Sequence, residues 1–291
     1  MKFRRSLFAA MLACLCSLQV CAAPTSGSLV GWGDNGAGQT NAPPGNHFTA
    51  IAGGAFHSLA IKFDGSLAAW GFNGEGQANA PPGNNFVAVA AGFAHSLALK
   101  SDGSLVGWGA NSEAQVSIPA GNGFAAVAAG LYHSSALRAD RSLHGWGNNA
   151  YGQKSVPLGN DYLAIAAGGW HNLALKSDNS IVGWGYNGDG QTNVPSGNDF
   201  VAVAAGSQHS LALKSDGSIV GWGWNREGQT VVPTGTDFVA IAAGYNYSLA
   251  LKSDSSIVGW GDNYAGQINI PEGNAFYLSR FPRSTLRVGT H

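Results

Sequence analysis

The sequence predicts an all-β protein, a seven-bladed β-propeller assembled from 38-residue repeats. The stretch at residues 31–39 returns in seven versions, each repeat contains three short strand-like runs, and 43 of the 291 residues are glycine. A fixed period of this size is typical of one supersecondary unit that buries its apolar faces only by stacking on its neighbours. The period is marked by seven tryptophans: Trp32, Trp70, Trp108, Trp146, Trp184, Trp222 and Trp260.

Each repeat contains the pattern of three strands and a return segment. In one copy, residues 86–92 are a β-prone run, residues 95–100 alternate with period two, and residues 105–109 form a third run. Residues 101–104 predict a hairpin turn, because Asp-Gly supplies the positive φ that tight turns need. Pro119 lies in the return segment, since proline cannot donate to the ladder of a central strand.

We expect the repeats to close into a ring. The series begins with a third strand at residues 27–33 and ends in residues 276–288, where Phe276 takes the first strand's aromatic position and the rest keeps the pattern loosely. Pairing of the N-terminal strand with this C-terminal segment would complete the seventh blade and remove free strand edges. The alternative is a linear solenoid, which needs polar caps at both ends.

The repeat resembles that of the regulator of chromosome condensation family. The family's motif is met in one copy at Ala91, Gly92, His95, Ser96, Ala98, Leu99, Asp102, Gly103, Trp108, Gly109, Asn111 and Gln115, with Ala114 in place of a glycine. The compact unit is similar to secreted bacterial propellers that inhibit β-lactamases. The resemblance implies a seven-bladed binding scaffold whose loops grip a partner. It does not name that partner, because one fold hosts many functions.

The N-terminus predicts a secretory signal peptide at residues 1–22. Residues 2–5 are basic, residues 7–16 are apolar, and small residues around Ala22 suit cleavage. We therefore expect a secreted or periplasmic protein whose single propeller domain spans residues 23–291.

The cysteines fit the same interpretation. All three, Cys14, Cys16 and Cys21, lie in the segment to be removed, so stability would not come from disulfides. A lipoprotein anchored through Cys21 is the alternative, which the bulky Val20 disfavours.

Composition limits the partners. Charged residues make up 11% of the chain and the formal net charge is −1, which provides no basic patch for nucleic acid or anionic membrane. No run after the signal peptide reaches the roughly 18 apolar residues of a membrane span. We expect a monomer that binds an extracellular or periplasmic protein, or a glycan. GTPase exchange, the work of eukaryotic relatives of the repeat, conflicts with the signal peptide.

A histidine recurs once per repeat: His57, His95, His133, His171 and His209, with Tyr247 in the sixth place. Because the positions spread around a ring, they do not converge on a zinc ion, which needs four ligands within about 2.1 Å. We predict structural hydrogen bonds for them, and no metal and no cofactor.

The sequence contains no nucleophile elbow, zinc-protease motif or phosphate loop, and we predict that the chain is not an enzyme. Four loop carboxylates leave a hydrolase or lyase as an alternative, since glycosidases act through a carboxylate pair. They are Glu75, Glu113, Asp189 and Glu227. Solvated loop acids are the simpler interpretation.

Aromatic residues at the variable loop positions are the candidate binding residues. If the strands alternate in direction, both variable loops lie at one end of the propeller. Exposed aromatics there are typical interface anchors. They are Phe56, Phe72, Phe93, Tyr132, Tyr151, Trp170, Tyr186, Trp224, Tyr245 and Tyr264. The sequence predicts a protein-binding module; a lectin-like propeller is the alternative for the same surface, and several rings are alternatively half-buried at the rim.

Overall fold

The computed structural model describes residues 28–45 and 47–272, which form six three-stranded antiparallel sheets. The strands are β1 (Phe48–Gly53), β2 (His57–Lys62) and β3 (Leu67–Gly71) in sheet 1; β4 (Phe86–Ala91), β5 (His95–Lys100) and β6 (Leu105–Gly109) in sheet 2; β7 (Phe124–Ala129), β8 (His133–Arg138) and β9 (Leu143–Gly147) in sheet 3; β10 (Tyr162–Ala167), β11 (His171–Lys176) and β12 (Ile181–Gly185) in sheet 4; β13 (Phe200–Ala205), β14 (His209–Lys214) and β15 (Ile219–Gly223) in sheet 5; β16 (Phe238–Ala243), β17 (Tyr247–Lys252) and β18 (Ile257–Gly261) in sheet 6. The predicted three-strand unit is therefore confirmed.

The predicted blade number was wrong for the described part of the chain, which contains six sheets and not seven. Residues 276–288, expected to begin the seventh blade, lie outside the described residues. Residues 28–33, expected as its third strand, are not assigned to a strand. The physical reason is that a strand is defined by its hydrogen-bonded partner, and the partner expected for this segment lies outside the described chain.

The middle strand of each sheet is covered on both sides, because it pairs with the first and third strands and its faces pack on neighbouring sheets. In β5 the side chains of Leu97 and Leu99 alternate with those of Ser96 and Ala98, and all four are buried. The hairpin that follows has Gly103 at φ 80°, in the left-handed region where glycine carries no Cβ penalty. Alternation and turn chemistry thus set the unit as the sequence predicts.

The core lies between consecutive sheets. The leucine face of one sheet packs against alanines and an aromatic side chain of the next; Leu97 and Leu99, for example, share a cluster with Phe124, Ala129 and Trp146. Three similar clusters join sheets 3 and 4, 4 and 5, and 5 and 6. Small residues on one face let the strands approach, and the large residues on the other fill the gap.

The first and last described sheets share a core. Ile51 and Leu59 of sheet 1 belong to the same buried cluster as Leu249 of sheet 6, with Trp32 among them. The indole Nε1 of Trp32 donates to the carbonyl of Gln267 at 3.0 Å, across 235 residues of sequence. The N-terminal segment therefore contacts the C-terminal repeat.

The described residues contain no helix long and apolar enough to cross a membrane.

Candidate functional site

Two loops of each repeat lie side by side at one end of the sheets, which we call the loop end. One joins the first strand to the second, and the other follows the third strand. In sheet 4 the N–H of Tyr186 donates to the carbonyl of Trp170 at 2.8 Å and ties the two loops together. The same bond recurs from Phe72 to Phe56, Ala110 to Ala94, Asn148 to Tyr132, Trp224 to Gln208 and Asp262 to Asn246. The hairpins between second and third strands lie at the opposite end, the turn end.

The glutamine of each repeat fixes the loop after the third strand. Its Oε1 accepts the backbone N–H of the residue two positions earlier, at 2.8 Å for Tyr151. The loop asparagine holds the backbone just after the glutamine in the same way. Asn149 Oδ1 accepts the backbone N–H of Lys154 at 2.9 Å. We call the residue bound by the glutamine the anchored position, because its backbone is held while its side chain differs between repeats. The anchored positions are Ala37, Glu75, Glu113, Tyr151, Asp189, Glu227 and Ala265.

Six aromatic side chains of the loop end form one chain of ring contacts, which we call the aromatic cluster. In order of contact they are Phe56, Phe93, Tyr132, Trp170, Tyr151 and Tyr186. Consecutive ring centroids lie 5.7, 5.5, 5.3, 5.6 and 4.9 Å apart. Separations of this size are those of edge-to-face and tilted aromatic pairs. The structure thus brings together six of the ten candidate residues, across sheets 1–4.

The other four candidate residues make no ring contact with this cluster within the described chain. Phe72, Tyr245 and Tyr264 are exposed, Tyr264 by 98%, and Trp224 is half-buried. The half-buried members of the cluster itself are Phe93, Tyr132, Trp170 and Tyr186. Five of the ten candidate side chains are therefore half-buried, as the alternative interpretation expects. Their partial burial holds these rings in place.

Residue spacing alone does not predict these contacts. Phe93 lies two residues before its histidine, whereas Phe56, Tyr132 and Trp170 lie one residue before theirs. Tyr151 follows sheet 3 but contacts Trp170 of sheet 4. The anchored positions do have a sequence signal, their constant distance of two residues before each glutamine, and our sequence interpretation missed it.

The five recurring histidines are structural. His95 Nε2 lies 3.1 Å from Ser134 Oγ of the next sheet, and that hydroxyl donates to the carbonyl of Gln115 at 2.8 Å. Because the serine proton is used in the second bond, the histidine must donate to the serine oxygen, which places its proton on Nε2. Trp146 Nε1 donates to the same Gln115 carbonyl at 2.9 Å, so both lone pairs are occupied.

Burial keeps the side chains of the five recurring histidines neutral. It lowers the pKa of His57 and His133 to about 4, and that of His95, His171 and His209 to about 3. The charged form would be desolvated in the core, which is the largest cause in all five. Each Nδ1 lacks a hydrogen-bond partner within the described chain. No group of three or more His, Cys, Asp or Glu side chains there could hold a metal ion.

The four loop carboxylates occupy anchored positions in four different repeats. Glu113 Oε2 accepts the side-chain amide of Asn148 at 2.8 Å. Asp189 Oδ2 is shielded from solvent and has no hydrogen-bond partner among the described residues. Because these acids are copies of one place in the repeat, they are distributed around the loop end, one per sheet.

Repeated three-stranded sheets that share cores with their sequence neighbours define a repeat protein of the β-propeller class. Six segments of the chain, residues 48–77, 86–115, 124–153, 163–191, 200–229 and 238–267, match the regulator of chromosome condensation (RCC1) repeat. The chain belongs to this family. No curated protein matches it.

Solved structures with the same fold come from plants and yeast. Prp20p of Saccharomyces cerevisiae shares 19% identity over 92% of this chain and 86% of its own, with a TM-score of 0.72. The ectodomain of the Physcomitrella patens receptor kinase CR4 shares 22% over 88% of this chain and 74% of its own, also at 0.72. The ectodomain of the Arabidopsis thaliana receptor kinase ACR4 shares 24% over 81% and 89%, at 0.67. At these identities the likeness shows the fold alone.

Proposed function

We propose that this protein is a secreted propeller that binds a protein partner through the aromatic cluster. One observation carries the proposal: six aromatic rings contact one another in series across four consecutive sheets at a single end of the molecule. Exposed apolar patches on soluble proteins mark interaction sites, and Tyr and Trp are enriched among residues that dominate binding energy. The signal-peptide pattern supports a partner outside the cell or in the periplasm.

The surroundings of the cluster favour recognition by a preformed surface. The backbone of Tyr151 is held by Gln153, and that of Tyr186 by Trp170. Trp170 itself packs between Tyr132 and Tyr151. A surface ordered before binding loses less conformational entropy on association.

One protein with this fold, yeast RCC1 (Prp20), binds other proteins. Yeast RCC1 (Prp20) has been crystallised with Kap60, and Prp20p has been studied for its binding to Gsp1p and histones. These partners belong to that protein. They support a protein-binding role for the fold. The partner of this chain depends on the chain's own loop residues.

We infer that the N-terminal segment closes the propeller. In six sheets the tryptophan Nε1 donates to the carbonyl of the glutamine 31 residues earlier, as Trp260 does to Gln229 at 2.8 Å. Trp32 makes the equivalent bond to Gln267. It takes the place that the next tryptophan of the series would take, which supports a ring. A deletion of residues 28–33 should then lower the melting temperature by more than 10 °C, measured by circular dichroism; an unchanged melting temperature would exclude closure by this segment.

The binding proposal is tested with the combined variant Tyr151→Ala, Trp170→Ala and Tyr186→Ala. The mature chain, immobilised, is used to capture proteins from the medium of the producing cells, followed by mass spectrometry. A partner captured by the wild type should be lost with the variant, because the central anchors of the cluster are removed.

The matched control removes apolar side chains elsewhere. Phe63 is 82% exposed and lies in a turn-end hairpin, and Leu158 is 97% exposed in a return segment. Phe63→Ala with Leu158→Ala should leave capture unchanged. Circular dichroism must show that both variants are folded. Equal capture by all three proteins would refute the role of the cluster.

A lectin is the second candidate, favoured by Tyr264, which is 98% exposed at the loop end. Open aromatic faces stack on sugar rings, and neighbouring amides hydrogen-bond hydroxyls. A glycan array with the wild type and Tyr264→Ala separates the two functions. An enzyme using the loop carboxylates is the third and weakest candidate, since these acids sit one per repeat.

A further inference from the structure

The loop end carries an excess of negative charge around the aromatic cluster. The loops that follow the third strands contain six carboxylates, Asp34, Glu75, Glu113, Asp189, Glu227 and Asp262. They contain two cationic side chains, Lys154 and Arg226. At the turn end, by contrast, cations and carboxylates alternate along the hairpins.

The carboxylates at the anchored positions surround the aromatic cluster in a regular way. Tyr151 occupies the anchored position between those of Glu113 and Asp189, and Glu75 and Glu227 occupy the next ones on either side. The same glutamine bond holds all five, so their side chains leave the backbone at equivalent places. A central aromatic side chain is thus flanked by acids on both sides.

These carboxylates are not neutralised within the described chain. Its three ion pairs, Lys176 with Asp161, Lys214 with Asp199 and Lys252 with Asp237, all lie at the turn end. Cations of the turn end also sit over aromatic rings there, as Arg138 does over Phe124 at 4.8 Å. No comparable partner meets Glu75, Glu113 or Glu227 among residues 28–45 and 47–272.

Two further features point to donors supplied from outside. Asp189 is half-buried, and its Oδ2 is shielded and unbonded within the described residues, so a cation that approaches the carboxylate group from the solvent side would stabilise its charge. Glu113 lines an open groove of ≈ 560 Å³ together with Trp146, Asn149 and Lys154. The groove has room for a cationic side chain of a partner beside the Glu113 carboxylate, whose Oε2 also accepts the Asn148 amide.

We propose that the partner presents lysine or arginine side chains to this surface, so that its cations meet the carboxylates of Glu75, Glu113, Asp189 and Glu227 and the π-faces of the aromatic cluster. This inference rests on the proposed protein-binding function and specifies the chemistry of the partner. Cations are attracted to both groups, by Coulomb interaction and by the ring quadrupole. Complementary charge also accelerates association and makes it sensitive to salt.

The test uses displayed random 12-residue peptides selected against the full mature chain at 50 mM salt. Selected peptides should be enriched in lysine and arginine together with an apolar residue. Binding of the best peptide, measured by fluorescence anisotropy, should weaken at least tenfold between 50 and 300 mM salt. The combined variant Glu75→Gln, Glu113→Gln and Glu227→Gln should bind the peptide at least tenfold more weakly at 50 mM salt. The separate variant Asp189→Asn should also weaken peptide binding.

The control is Asp102→Asn with Asp216→Asn, which removes the same kind of charge at the turn end and should leave the affinity unchanged. Enrichment of acidic or uncharged peptides that still require Trp170 would overturn this inference while leaving the binding function intact. Selection of no peptide dependent on the aromatic cluster would count against both. Equal loss with the control variant would show a general field effect and overturn the assignment to the anchored carboxylates.

Discussion

Acidification should destabilise this protein well above the pH at which carboxylates protonate. The five ring histidines have folded-state pKa values of about 3 to 4, against the ordinary 6.5. Below pH 6.5 the unfolded chain therefore takes up protons that the folded chain does not. This contribution to stability is fully present above pH 6.5 and is lost as the pH falls through the folded-state values of about 4 and 3.

The size of the effect follows from the number of sites. At pH 5.5 each histidine contributes a loss of about 1 kcal/mol, so the five together contribute roughly 5 kcal/mol or more. That is comparable with the whole stability of a typical domain, about 5–15 kcal/mol. Urea unfolding followed by tryptophan fluorescence, between pH 7.5 and 5.5, gives the free energy at each pH. The window ends at 5.5 so that carboxylate titration contributes little.

The variant His95→Gln isolates one site, because the glutamine amide can still donate to Ser134 and does not titrate. Its loss of stability between pH 7.5 and 5.5 should be smaller than that of the wild type by about 1 kcal/mol. The control Tyr247→Phe, at the sixth place of the series where no histidine stands, should keep the wild-type slope because it removes no histidine. If the wild type loses less than about 1.5 kcal/mol of unfolding free energy over this window, the conclusion that the five histidines are buried and neutral is refuted.

Three further predictions concern packing, backbone and surface. Trp146→Ala should cost about 3–5 kcal/mol in urea unfolding, because the side chain is buried between sheets; a cost under about 1 kcal/mol would contradict that packing. Arg141 has φ 67° where three other repeats have glycine, so Arg141→Gly should stabilise by about 0.5 kcal/mol; destabilisation would show that the arginine contributes more than its backbone strain. Asp161→Asn removes a partly exposed ion pair with Lys176 and should leave the unfolding midpoint unchanged, since such pairs contribute little.

The repeat unit could be predicted from the sequence because its determinants are local. Alternation in residues 95–100, the Asp-Gly turn at 102–103 and the spacing of Trp and Gln each specify a short-range structure. β5 and β6 have the predicted bounds, and β4 ends one residue before the predicted run. The family resemblance is confirmed by the six matched segments.

The blade number and the arrangement of the site depend on contacts between distant residues. Closure requires Trp32 and Gln267 to meet across 235 residues, which the repeat suggests but does not specify. The aromatic cluster joins rings from different repeat positions, such as Tyr151 and Trp170. Its order depends on the angle between neighbouring sheets, which no local pattern specifies. The role of the histidines, in contrast, was predictable because a ring of equivalent residues cannot converge on one ion.

The glutamine that holds each anchored position has a consequence for how such a surface changes over time. The backbone there is held by the side-chain oxygen of the glutamine, so the hold does not depend on which side chain the anchored residue carries. A repeat can therefore be duplicated, and its anchored residue exchanged among alanine, glutamate, aspartate and tyrosine, as this chain already shows. New binding specificity can arise by single substitutions at the seven anchored positions. A designed library that varies the anchored positions would alter recognition without disturbing the sheets beneath.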